Sequence, residues 1–401
     1  NIVSVPHEDY LDIVWDGFLF RLELSTSAEK NTWVYLPLES IPEDVREATL
    51  APMHHSVVHS FQGLHPSYGD AVRLLRYWMA KSTFSGVIPG EVLELVVASA
   101  YLNPPRGSAP STAERGFRDS LALLADFDWE GTALVINFSG DISSDDVTKI
   151  QLDLQTARAS PQSPGPSMYC VASYDQVMGY RPHFARLAPE RVMLQMICAA
   201  SRATCTYLDT HDVKYLCGGR APGGAEASWR TVLQHAAEHS SVLKNHLSFL
   251  LVFNKALAYS GKRYMGGLAA CASLGPAFAH AKFFANSPAA ELSHTRLVSL
   301  GGTSLCPVQE NLVASLRIAY GHYALFFWDE SVGSRLGVVL RPRACLPTKF
   351  SVLEARHRLV VPGRAQAEPS KDVPLTVLNT TELVAEMMAL ADGCIDDVVF
   401  L

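Results

Sequence analysis

The sequence predicts an α+β protein of more than one domain, and three observations predict it. At 401 residues the chain is longer than one ordinary domain of ~100–200 residues. Hydrophobic residues make up 48% and charged residues 18%, below the ~25% of typical globular chains, which excludes a disordered tail and calls for extensive internal or partner-covered surface. The periodicity also changes along the chain. Apolar residues recur at helical spacing from about 43 to 127, whereas short apolar runs alternate with helical stretches from 168 onward.

The first predicted element is a β-hairpin. Residues 12–15 and 18–24 flank Asp16-Gly17, a dipeptide suited to a two-residue turn because glycine tolerates positive φ. A lone hairpin is not a domain. The chain opens at Asn1 with strand-like residues and no methionine, so the hairpin is expected to finish a domain lying mostly upstream. Next comes a block of about four helices from Glu43 to Phe127. Val72, Leu75, Trp78 and Met79 share one helical face, as do Val92, Leu95, Val96 and Ser99. Asn103-Pro104-Pro105 ends one helix, and Ser111 with Glu114 has capping-box spacing ahead of Phe117, Leu121 and Leu124. Trp78 and Trp129 lie in apolar helical contexts and are expected in the core.

A strand at 134–138 and a capped helix starting near Ser143 follow. The Pro/Ser stretch 160–167 reads as loop. Strands are then expected at 168–172, 249–253, 323–328, 336–340 and 395–401, with helices at 189–208, 308–320 and 381–391. Eight cysteines without a CxxC pair fit reduced thiols of a cytosolic or nuclear protein, not a disulfide scaffold or zinc ribbon. No apolar stretch reaches the ~18 residues of a membrane span, and no signal peptide is evident.

The candidate chemistry is sparse. His235-Ala236-Ala237-Glu238-His239 places two histidines at i and i+4 with a glutamate between, a zinc-hydrolase spacing for which Glu291 is the obvious further ligand. Fourteen histidines make a chance match common, and a solvated helix face is the favoured reading. Asp126 and Asp128 share a side only in a strand, yet fall at a predicted helix end, where a turn is favoured over a metal site. Gly301-Gly302-Thr303-Ser304 has the look of a nucleotidyltransferase entry, but no Asp-x-Asp follows to hold two metal ions, so a turn is expected. Cys198 and Cys205 share a helix face as buried small groups. No cofactor and no metal is called for.

One charge feature stands out. Arg335, Arg341, Arg343, Lys349, Arg356, Arg358 and Arg364 face only Glu354 between 335 and 364. That segment carries +6 in a chain of −7, leaving −13 elsewhere. Arginines suit bidentate phosphate contact, and Arg356 and Arg358 would share one side of a strand. The segment is the candidate RNA or acidic-partner contact, set against a plain solubilising face.

Several strings resemble one family. They are Pro66-Ser67-Tyr68-Gly69-Asp70-Ala71-Val72-Arg73-Leu74-Leu75, Leu95-Val96-Val97-Ala98-Ser99, Leu124-Ala125-Asp126-Phe127-Asp128-Trp129 and Tyr320-Gly321-His322-Tyr323-Ala324-Leu325-Phe326-Phe327. In this order they resemble the Nrap family, nucleolar RNA-associated proteins of the small-subunit processome. The resemblance implies that residues 1–42 end a fourth, nucleotidyltransferase-like domain. It makes 43–140 a fifth domain similar to the poly(A) polymerase/oligoadenylate synthetase (PAP/OAS) helical domain, and 141–401 a sixth, α+β domain. It implies no catalytic residues and an architectural role in the nucleolus. The implied partners are pre-rRNA, small nucleolar ribonucleoprotein components, an RRM-bearing processing factor and casein kinase II components. The rival is an active RNA nucleotidyltransferase with its catalytic domain upstream. The chain departs from the family pattern at Ala172-Ser173-Tyr174-Asp175 and Tyr180-Arg181-Pro182.

Overall fold

A computed structural model describes residues 2–6, 10–15, 18–23, 43–160, 165–187, 189–210, 247–253, 308–329, 335–360, 375–391 and 394–400. The chain divides into two compact units. One is Ser25–Val242, and the other joins Asn1–Leu24 to Leu243–Leu401.

The first three strands, β1 (Ile2–Pro6), β2 (Tyr10–Trp15) and β3 (Phe18–Glu23), form an antiparallel sheet in chain order. Trp15 pairs with Phe18, which leaves two residues for the predicted turn. The leading strand β1 stands where the opening residues read as strand.

Among the described residues, the Ser25–Val242 unit begins with four helices, α1 (Glu43–Leu64), α2 (Tyr68–Lys81), α3 (Gly90–Leu102) and α4 (Ala113–Asp126). Helix α3 buries Val92, Leu93, Leu95, Val96, Val97 and Ala98, hence nearly its whole circumference, as a central helix must. It ends at Asn103, ahead of the two prolines. Helix α4 starts one residue later than the capping-box spacing indicated. Thr112 is its N-cap and its side chain accepts from the Arg115 backbone N–H at 3.3 Å. Ser111 therefore does not cap it. Trp78 is fully buried and Trp129 nearly so.

Beyond these helices, β4 (Leu134–Ile136), α5 (Ser144–Ala159) and β5 (Cys170–Ala172) make a βαβ unit whose two strands pair in parallel. The Ser143/Asp146 capping box starts α5 where the sequence placed a cap. Helix α6 (Arg191–Thr210) then packs along α4. The Trp78 indole N–H donates to Thr204 Oγ1 at 3.0 Å across 126 residues. Arg118 pairs with Asp209, and Arg202 donates to the Ala125 carbonyl at 2.5 Å. The packing runs on without a break from the four helices to α6, in the unit Ser25–Val242. The βαβ unit and α6 cover apolar faces that the four helices alone would leave open, so they belong with the helical block.

The other unit contains a four-stranded antiparallel sheet built from β6 (Phe249–Phe253), β7 (Ala324–Trp328), β8 (Arg335–Leu340) and β12 (Ile395–Phe400), in the order β12-β6-β8-β7. Phe249, Leu251 and Phe253 alternate inward along β6. They meet Leu312, Val313 and Leu316 of α7 (Val308–Tyr320) and Leu383 and Met387 of α9 (Thr380–Ala391). A second, three-stranded antiparallel sheet has the order β10-β11-β9, from β9 (Thr348–Lys349), β10 (Arg358–Val360) and β11 (Leu375–Leu378). The short helix α8 (Pro342–Cys345) joins the two sheets.

Candidate functional site

The basic segment runs from β8 to β10, and folding gives its cations different tasks. Arg335 opens β8 with its side chain exposed. Arg341 follows that strand as the N-cap residue of α8, whose first position is Pro342, a residue with no N–H left unmet there. Its Nε donates to the Gly321 carbonyl at 2.6 Å and its backbone N–H to Tyr323 O at 2.8 Å. Arg358 begins β10 and donates through Nη1 to the carbonyls of Ala344 at 3.0 Å and Leu346 at 3.4 Å. These two guanidiniums tie the α8 corner to its neighbours.

Arg356 lies in a single 3₁₀ turn, Val352–His357, not in a strand. It therefore does not share a strand face with Arg358, as the alternating sequence had indicated. It pairs with Glu386 and lies 4.0 Å from Glu382, both from α9. His357 Nε2 reaches the other Glu386 oxygen at 2.5 Å. The +6 counted along the sequence is thus partly offset by acids 26–30 residues away in the chain. Arg343 and Lys349 are exposed, and among the described residues their side chains have no partner. Arg364 lies outside the described residues. The structure brings Arg341, Arg343 and Arg358 together around α8 and gives Arg335, at the other end of β8, its own place.

Nearby, Arg317 of α7 is half-buried and donates to Phe326 O at 3.2 Å. Burial lowers its pKa to about 10, so it stays charged at neutral pH.

The helical unit holds a polar constellation that sequence spacing did not reveal. His54 of α1 is buried between Glu94 of α3 and Tyr174. Its Nε2 lies 2.8 Å from Glu94 Oε2 and its Nδ1 2.8 Å from Tyr174 Oη. An ionised carboxylate only accepts, so Nε2–H donates to Glu94, while Nδ1 and the phenol share the second hydrogen bond. Arg76 closes the chain with a 2.6 Å bond to Glu94 Oε1. Burial raises the Tyr174 phenol well above its ordinary range. Beside it, Asp175 Oδ2 accepts from the Ala172 N–H at 2.8 Å, and burial pushes its carboxyl up to about 7. The stretch in which the chain departs from the family pattern is thus an internal fastener on α1 and α3. Tyr174 also borders a groove of roughly 360 Å³ lined by Ser56, Ser60, Phe61, Phe138 and Asp141.

The remaining sequence candidates separate cleanly. Asp128 accepts from the Glu130 and Gly131 N–H groups, whereas Asp126 faces Arg202 at 3.5 Å, so the two carboxylates form a helix-terminal turn. Cys198 and Cys205 are free, half-buried thiols of α6, and burial raises Cys205 to about 11. His235, Glu238, His239, Glu291 and 301–304 lie outside the described residues. Among the described residues, no three His, Cys, Asp or Glu side chains converge as metal ligands, and no helix is long and apolar enough to cross a membrane.

Comparison with known proteins follows the same architecture. The family model described as Nrap protein PAP/OAS1-like domain 5 matches residues 65–220, running past 140 as the packing does. That described as Nrap protein domain 6 matches 260–398. Nucleolar protein 6 of Xenopus tropicalis is 23% identical over 99% of this chain and 32% of its own length. Nucleolar protein 6 of Mus musculus is 24% identical over 97% of this chain and 31% of its own. U3 small nucleolar RNA-associated protein 22 of Schizosaccharomyces pombe is 27% identical over 41% of this chain and 15% of its own. The chain therefore spans about a third of the length of the curated nucleolar relatives it matches. Matched in sequence by two successive domain models over most of its residues, the chain belongs to the Nrap protein family.

Proposed function

We propose that this chain is a non-catalytic architectural part of a nucleolar factor in small-ribosomal-subunit assembly. The observation that carries the reading is the ordered pair of Nrap domains, together with relatives named Nucleolar protein 6 and U3 small nucleolar RNA-associated protein 22. On this reading the chain holds pre-rRNA and protein partners in one particle, acting in pre-rRNA processing and 18S rRNA formation. Small nucleolar ribonucleoprotein components, an RRM-bearing processing factor and casein kinase II components are the proposed company. Residues 1–42 are proposed to end the preceding, nucleotidyltransferase-like domain.

Within the basic segment, the exposed Arg335, Arg343 and Lys349 are the proposed contact residues. Arg341 and Arg358 serve the fold, and Arg356 is held by α9. A nucleotide-incorporation assay on the full-length protein tests the non-catalytic reading. No transfer above background is expected, and robust metal-dependent addition to RNA would overturn it in favour of an active nucleotidyltransferase. Sedimentation of the tagged full-length protein with small-subunit precursors tests the assembly role.

A further inference from the structure

The groove beside Tyr174 lies where α/β units commonly bind ligands. Part of its lining follows the parallel strands directly, with Phe138, Ser139 and Asp141 after β4 and Ser173 and Tyr174 after β5. Crevices outside the carboxyl ends of parallel strands are the usual binding places of such units. The rest of the lining is one face of α1, from Ser56 to Leu64. Asn137 fastens the loop after β4. Its Nδ2 donates to the Ile142 carbonyl at 3.1 Å and its Oδ1 accepts from the Ile142 N–H at 3.3 Å. Gly140 permits the turn with a φ of +79°. Phe138, Ser139 and Asp141 are therefore presented by a closed, pinned loop.

The lining itself selects a cation. None of its residues is lysine, arginine or histidine, and Asp141 carries its formal charge. Asp141 is exposed, and among the described residues no cation pairs with it. The hydroxyls of Ser56, Ser139 and Ser173 also have no hydrogen-bond partner there, whereas Ser60 donates to the Ser56 carbonyl at 2.9 Å. Half-buried Phe138 stands at 77° to buried Phe61, with ring centroids 5.3 Å apart. Val57 and the exposed Leu64 extend this apolar surface. A phosphate finds no cation in the groove, and the positive end of α5, next in the chain, is already taken by Asp146 of the capping box. RNA is thus a poor occupant. An arginine meets every part of the lining. Its planar guanidinium stacks on an aromatic ring, its N–H fork reaches a carboxylate and neighbouring hydroxyls, and its methylene stem covers apolar surface.

We propose that this groove receives an arginine side chain of a partner protein, bound by Asp141 and Phe138, with an apolar residue of the same segment lying on Val57 and Leu64. The site is separate from the basic segment and does not depend on it. A guanidinium fork on a carboxylate is a contact that lysine does not reproduce.

The test places the photoreactive residue p-benzoylphenylalanine at position 64 of the full-length protein in living cells, and the cross-linked peptides are sequenced by mass spectrometry. The expected product is a segment of another protein with an arginine close to an apolar residue. That segment is then made as a fluorescent peptide and titrated into the purified full-length protein by anisotropy. Asp141→Asn should weaken binding about tenfold, and the difference should shrink at high salt. Replacing the peptide's arginine by lysine should weaken binding to the wild-type protein by a similar factor, a measurement that needs no variant of this chain. Cross-links to RNA or to this same chain, a segment without arginine, or no cross-link at all would overturn the proposal. So would equal affinity of the wild-type and Asp141→Asn proteins, or of the arginine and lysine peptides. Failure here leaves the architectural reading, scored by sedimentation with small-subunit precursors, as it stands.

Discussion

Burial holds the Asp175 carboxyl near 7 while its unfolded counterpart titrates near ~3.9. The native state therefore keeps its proton between those values after the unfolded chain has lost it. Stability of the helical unit falls as pH rises from about 4 to about 7, by on the order of 4 kcal/mol from this group alone. Asp175→Asn keeps an acceptor for the Ala172 N–H and carries no charge. The substitution is expected to raise the melting temperature at pH 8, less so at pH 5, and leave it nearly unchanged below about pH 4, as scanning fluorimetry would show. His54 behaves differently, since its removal strands two partners at once. His54→Ala should cost roughly 2–4 kcal/mol in denaturant unfolding, because Tyr174 Oη and Glu94 Oε2 each lose a buried bond. The arginines of the basic segment divide in the same manner. Arg341→Ala and Arg358→Ala should lower stability by about 1–2 kcal/mol each, since each leaves carbonyl acceptors unmet. Arg343→Ala and Lys349→Ala should leave stability within about 0.5 kcal/mol of wild type.

At the scale of elements, helix α4 lies so close to α3 that a Cβ at Gly116 would fall 2.4 Å from Tyr101 Oη. That hydroxyl is itself bonded to Ser67 at 2.9 Å. Alanine improves helix propensity by up to ~1 kcal/mol, but overpacking costs ~1–3 kcal/mol. Gly116→Ala should therefore destabilise, with the loss read in thermal unfolding by circular dichroism. The elements themselves were largely legible in the sequence. The apolar run at Phe249–Phe253, the helix Val308–Tyr320 and the cap at Ser143 stand where local patterning put them, since each signal spans few residues. The Ser111/Glu114 spacing misled because Thr112 beside it offers an equal hydroxyl, and only the backbone path decides which is extended at the cap. What local patterning could not show was partnership across distance. Glu386 on Arg356, Thr204 on Trp78 and Tyr174 on His54 join residues separated by tens of positions or more, and no short-range period records such pairs. The candidate interface was legible as charge. Its division into cations that serve the fold and cations that face outward was not.

For the whole molecule, the packing of α6 and the βαβ unit with the four helices has an energetic consequence. A fragment covering residues 25–242 is expected to unfold in one cooperative transition. A fragment ending at 140 lacks α6 and the βαβ unit, exposes Trp78 and the open face of α4, and should bind a hydrophobic dye and resist little protease. Two-state denaturation of the shorter fragment with native-like steepness would contradict this. The same arrangement matters while the protein is being made. At roughly 5–20 residues per second, the 126 residues between Trp78 and Thr204 take about 6–25 s to synthesise. During that interval the indole and the helices around it have emerged from the ribosome without the helix that covers them. The nascent chain thus passes through its own synthesis with a sticky half-core, a span in which a co-translational chaperone would find its binding site and a pause in elongation would favour aggregation.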